Sequence, residues 1–130
     1  MSRETITALL WLIPAILLST TGELFFKRGM NEIGALDFAS LDSVIPTFIR
    51  MAMNYNLWLG GFGFIGGSVF WLSVISRVPL SVAYPMLGVG YVLIAVESWV
   101  FLGEGFHWLR VVGSIVVGIG VALVGLSNTK

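Results

Sequence analysis

Cysteine is absent from the 130 residues, and charge is scarce: 11% of the chain, with seven basic side chains against seven acidic and a formal net charge of zero. No cysteine means no disulfide, no thiolate chemistry and no Cys-type zinc site. No basic excess and no run of five like charges means that the electrostatic footprint of nucleic-acid binding is missing, as is an acidic tail. The single histidine, His107, has no partners for a metal cluster or a Ser-His-Asp constellation, so neither an enzyme nor a metal or cofactor site is expected. It reads as an interfacial residue at a helix start. What stands in place of charge is apolar bulk: 57% hydrophobic residues and 16 glycines, about two thirds of the chain, against ~45–50% in a soluble domain. An ordinary water-soluble globule is excluded, and the length allows one domain over 1–130.

The charges are missing in blocks. Residues 5–22, 51–76, 78–96 and 111–129 contain no Asp, Glu, Lys or Arg, and each run approaches or exceeds the ~20 residues that cross a bilayer core. The pattern predicts an all-α membrane protein with four transmembrane helices, at about 6–26, 56–76, 80–102 and 108–126. The first is too long for a secretory signal and lacks a small-residue cleavage pattern, so it is expected to be retained. Spans two and three are joined around Arg77-Val78-Pro79, and spans three and four around residues 103–107, which makes both pairs tight antiparallel hairpins. Nearly thirty residues separate spans one and two. There Leu41, Val44, Ile45, Phe48 and Ile49 recur at helical spacing, with Pro46 starting or bending the run; a short amphipathic helix at the membrane surface and an irregular loop dipping into the headgroups both fit.

Gly61-Phe62-Gly63-Phe64-Ile65-Gly66 matches G-x-G-x-x-G letter for letter, yet it lies inside an uncharged span with no preceding strand, so the dinucleotide reading is rejected. Gly63 and Gly67 instead form a small-xxx-small face for close helix approach, because lipid supplies no hydrophobic drive for helix association. Gly113 and Gly120, seven apart with Ser114 and Gly118 nearby, suggest a second packing seam, between subunits or within the chain. In the third span Pro85 cannot donate a backbone hydrogen bond, which frees the Ser81 carbonyl. Together with the Ser81 and Tyr84 hydroxyls this makes a polar notch suited to a substrate, or a plain kink.

Two carboxylates lie within reach of the hydrocarbon, Glu23 and Glu97, each about 10 Å from its predicted helix midpoint at 1.5 Å per residue. Both fall toward the side of the long loop. Intramembrane carboxylates are functional candidates by default, although Glu23 has Lys27 at i+4 and the two could snorkel to the interface as a structural pair. Glu97 sits among Tyr91, Trp99 and Phe101, in an aromatic interface band. Lys27, Arg28, Arg50 and Arg110 fall on the loop side, with Arg3, Arg77 and Lys130 on the other. Four against three gives the positive-inside rule no grip, so insertion in both orientations and an antiparallel pair are allowed. Four helices are also too few to surround a polar route, which favours a dimer of eight helices or a paired homologous subunit.

The order of four spans, the phrase Val78-Pro79-Leu80-Ser81-Val82-Ala83-Tyr84-Pro85-Met86-Leu87, the Gly113/Gly120 seam and Lys27 closing the first span resemble the small multidrug resistance group of the drug/metabolite transporter (EamA-like) superfamily. Within it, Leu18-Ser19-x-x-Gly22-Glu23-Leu24-x-x-Lys27 and Ala83-Tyr84-Pro85-Met86-Leu87 resemble the subunits that flip aminoarabinose-phosphoundecaprenol for lipid A modification. The multidrug exporters carry their proton-exchanging glutamate where Ser19 stands and a characteristic Trp where Leu87 stands; both departures weigh against a proton-coupled exporter of small cations, the alternative reading, which Glu23 one turn along keeps open. The resemblance implies a multi-pass inner-membrane flippase working in pairs. On matching charge to such a substrate, Lys27 and Arg28 would hold the phosphate. Glu23, with Glu97, would receive the amine or hydroxyls of the head, Ser19, Ser81 and Tyr84 would line the path, and the prenyl tail would stay among the membrane lipids.

Overall fold

A computed structural model describes residues 3–36 and 38–127. Among these, every regular element is helical: α1 (Arg3–Ile33), α2 (Leu41–Ala52), α3 (Tyr55–Ile75), α4 (Leu80–Met86), α5 (Val89–Leu102) and α6 (Trp108–Ser127). Three stretches are long and apolar enough to cross a membrane, Arg3–Ile33, Tyr55–Ile75 and Leu80–Leu102, and Trp108–Val124 is a shorter apolar helix. Large apolar side chains cover the outside: Leu10 is 62% exposed and Leu109 80%. Such a surface is a liability in water and a requirement in lipid.

Helix α1 continues well past the expected end at residue 26, because Lys27, Arg28 and Glu32 interrupt the apolar pattern without interrupting the backbone ladder. It stops at Gly34, whose φ of 92° is open to glycine at little cost and whose N–H bonds to Met30 O at 2.8 Å. The long connection is therefore mostly helix. α2 covers the predicted amphipathic segment and has no buried residue. Pro46 lies inside it rather than at its start. α3 opens on an Asn54 cap, the Asn54 side chain accepting from Leu57 N at 3.2 Å, which supplies a partner to one of the orphan donors of the first turn. Asn54 Nδ2 and Asn56 Nδ2 each donate to a Glu32 oxygen at 2.8 Å, and Arg50 donates to Ile33 O at 3.2 Å. These contacts clasp the end of α1 to α2 and α3. At the opposite end Arg77 pairs with Glu4 at 3.7 Å.

The predicted third span is two helices. Pro85 offers no N–H to Ser81 O, and the chain then tightens through i→i+3 bonds, Gly88 N to Pro85 O at 2.9 Å and Gly90 N to Leu87 O at 2.8 Å. Gly88 at the break is buried, and a methyl group there would fall 2.7 Å from Val121 Cγ2, so α6 occupies the room that a side chain would need.

The core runs along α1, where Ala8, Leu12 and Ile16 pack with Val74, Val78 and Ala83. α1 and α3 meet on glycine. A methyl group at Gly22 would lie 2.8 Å from Gly60 O, one at Gly60 2.7 Å from Gly22 O, and one at Gly67 2.9 Å from Ala15 O. The Gly63/Gly67 face read from the sequence is thus an intrachain contact with α1. Lys130 lies outside the described residues.

Candidate functional site

α1 touches α3 through backbone at the glycines, and α5 closes the third side. The result is a cleft of about 450 Å³ between α1, α3 and α5. α1 contributes Ser19 and Glu23, one turn apart on the same face; α3 adds Ser68 and Trp71, and α5 adds Tyr91. Gly90 forms part of the wall, close to Ile16 and Thr20 of α1. The Glu23 carboxylate is exposed in the isolated chain and forms no ion pair with a described residue; the pairs present are Arg77–Glu4 and Arg110–Glu104. The structural Glu23–Lys27 pair is therefore not formed, and Glu23 is a carboxylate facing a mostly apolar cavity.

Glu97 does not line this cleft, and its partner Thr21 lies about 160° around α1 from Glu23. Thr21 Oγ1 donates to Glu97 Oε1 at 3.2 Å, which places Glu97 level with Glu23 at the same end of the bundle, as the sequence reading required. Its other oxygen, Oε2, is buried and accepts no hydrogen bond from a described residue. A buried acceptor without a donor is a costly arrangement, and an amine or hydroxyl would relieve it.

The remaining expected residues fall elsewhere. Ser81 and Tyr84 are exposed on α4, whose buried face is Val82 and Ala83, and neither lines the cleft. The notch expected around Pro85 is thus not part of it, since α4 buries Val82 and Ala83 while α5 supplies the cleft wall with Gly90, Tyr91 and Ile94. Tyr84 touches the site only from behind, its ring edge-on to Trp71 at 5.6 Å. Lys27 and Arg28 are exposed and outside the cleft. Lys27 shares the Glu23 face one turn on, whereas Arg28, five residues from Glu23, lies about 140° around the helix. His107 is exposed, and its carbonyl accepts from Arg110 N and Val111 N at the head of α6. No group of three or more metal-ligating side chains occurs among the described residues.

Sequence reasoning missed Ser68, Trp71 and Tyr91. Ser68 and Trp71 are three apart and share one face of α3, but nothing in the spacing tells that this face meets Ser19. Gly113 and Gly120 meet no atom within 4 Å of where a side chain would begin. Gly113 opens on a second cleft, of about 620 Å³, between α5 and α6.

Comparison with known proteins yields no matching family model and no matching solved structure. Named relatives do match, some of them along nearly the whole chain. The probable 4-amino-4-deoxy-L-arabinose-phosphoundecaprenol flippase subunit ArnE of Pseudomonas fluorescens is 42% identical over 120 residues, covering 89% of this chain and 96% of the relative. The corresponding ArnF subunit of Proteus mirabilis is 28% identical over 124 residues, 91% of each. A Klebsiella pneumoniae ArnE is 45% identical over 75 residues, 54% of this chain and 66% of its own.

Proposed function

The chain belongs to the family of these flippase subunits, itself of the small multidrug resistance type, and we propose that it carries a polyprenyl-phosphate-linked amino sugar across the inner membrane as one half of a two-subunit transporter. The observation that carries the site assignment is the cleft between α1, α3 and α5, where Glu23 and the hydroxyls of Ser19 and Ser68 are set in a mostly apolar wall. A protonated amine in that cleft meets the Glu23 carboxylate, and charge-assisted hydrogen bonds of this kind are about twice as strong as neutral ones. The faces of Trp71 and Tyr91 suit a sugar ring or a cation. Glu97, with its unpartnered oxygen beside Thr21, is the second acceptor for the head. Lys27, one turn beyond Glu23, meets the phosphate, and Arg28 draws the anion from the adjacent headgroup layer.

Subunit pairing is supported from two sides. The relatives bear two subunit names, and the open glycines of α6 with the α5–α6 cleft leave room for a partner helix. The reading is tested in proteoliposomes by following the transfer of an aminoarabinosyl-phosphoundecaprenol. Glu23→Gln is expected to slow transfer at least ~tenfold, equivalent to ~1.4 kcal/mol, and Lys27→Ala to weaken it several-fold. Unchanged rates in Glu23→Gln, Lys27→Ala and Arg28→Ala would reject these assignments. Resistance to quaternary ammonium compounds on expression, without restored polymyxin resistance in a strain lacking its aminoarabinose flippase, would favour the exporter instead.

A further inference from the structure

A second groove lies at the loop end of the same helix pair. It has a volume of about 510 Å³ between α1, α2 and α3, its wall includes Phe26, Met30, Met51, Trp58 and Gly61, and its surface is almost wholly apolar. It adjoins the head-group cleft through an aromatic pair: Phe64 lines the cleft, Phe26 lines the groove, and their ring centroids lie 6.2 Å apart with a 50° tilt. Trp58 is held in place, its indole N–H donating to Ala52 O at 2.7 Å, so its ring is a fixed wall rather than a loose flap. Lys27 stands three residues before Met30 and four after Glu23, on the shared face of α1.

Resting on the lipid-linked sugar reading, we infer that this groove binds the isoprene units next to the phosphate, with Lys27 on the phosphate between tail and head. Along α1 the cleft residues Ser19 and Glu23 come first and the groove residues Phe26 and Met30 follow, with the exposed Lys27 beside the near end of the groove, so one helix offers partners for the amino sugar, the phosphate and the first part of the tail. Polyprenyl chains differ from phospholipid chains in carrying a methyl branch at every fourth carbon. Entering the groove from lipid brings no hydrophobic gain, so discrimination rests on van der Waals fit. Two flexible methionines against a fixed indole and a phenyl ring suit an irregular, branched chain. The tail is thus recognised by the protein rather than left wholly in the bilayer, and the Phe26–Phe64 pair keeps it out of the polar cleft.

Gly61 allows a clean test, because a side chain started there meets no atom within 4 Å and would grow into the groove without disturbing α1–α3 packing. The full chain in nanodiscs is titrated with undecaprenyl phosphate and with dipalmitoyl phosphatidate, the latter carrying a phosphate on straight saturated chains. The wild type is expected to prefer the prenyl lipid about tenfold, or ~1.4 kcal/mol. Gly61→Leu should abolish that preference, and Lys27→Ala should weaken both lipids while keeping it. A wild type without preference, or a Gly61→Leu protein that retains it, overturns the inference. Failure of the underlying function shows separately, as wild-type proteoliposomes that do not move the lipid-linked sugar at all.

Discussion

The α1–α3 pair and the α6 helix are both built with stripes of glycine, and the structure uses them in opposite ways. At Gly22, Gly60 and Gly67 a single added methyl group would press within 3 Å of another helix's backbone, whereas at Gly113, Gly118 and Gly120 it would touch nothing within 4 Å. In the first region glycine is the contact: with no side chain in the way, two backbones reach the separation at which van der Waals attraction is felt along the whole interface, and in lipid that attraction is the main force available. In the second region glycine is a vacancy within the chain. A small-residue stripe therefore says that something can come close, and only the fold says whether that something is already present.

Gly60→Val presses hardest on this contrast. The added carbons must displace the Gly22 carbonyl and the Phe26 ring, and a loss of roughly 3 kcal/mol or more is expected, seen as loss of folded protein by thermal unfolding in detergent. A stable Gly60→Val protein would break the comparison. Gly88→Ala comes next, at about 1–2 kcal/mol: the methyl group meets the Pro85 carbonyl but also the movable methyls of Val117 and Val121, so α6 should shift before the fold fails. The paired change Gly113→Ala and Gly120→Ala should be neutral or stabilising by no more than ~1 kcal/mol per site in the single chain, since alanine is the better helix former. The bulkier Gly113→Leu with Gly120→Leu should lower the cross-linked fraction of paired subunits at unchanged unfolding temperature; a pair that forms as before would remove α6 as the seam. Smallest is Glu32→Gln, which keeps one amide donor's partner at the end of the tight pair and should cost about 0.5 kcal/mol, measured as faster proteolysis near residues 34–40.

The helices were legible because the charges are missing in blocks; for the segment Leu41–Ala52 the spacing left a helix and an irregular loop both open, and the structure has the helix. The extension of α1 was not legible, because charge reports where lipid ends and not where a backbone ladder ends. Pro85 and Gly88 both stood in the sequence, but that α6 fills the space beside Gly88 with Val117 and Val121 is a fact of tertiary structure. In the site, Ser19 and Glu23 could be read together since one helix turn joins them. Ser68, Trp71 and Tyr91 come from other helices, and their meeting with Glu23 depends on rotations fixed by the glycine contacts. Ser81 and Tyr84 fall outside the cleft because α4 turns Val82 and Ala83 inward and leaves these two side chains exposed.

The helix α2, no residue of which is buried, and the turn at 103–107 both lie at one end of the molecule, while the other end carries the short turn after Ile75. One face of the bilayer therefore receives a helix that the other lacks. Two copies side by side in the same direction would place both of these helices at that face. An opposed pair would give one to each.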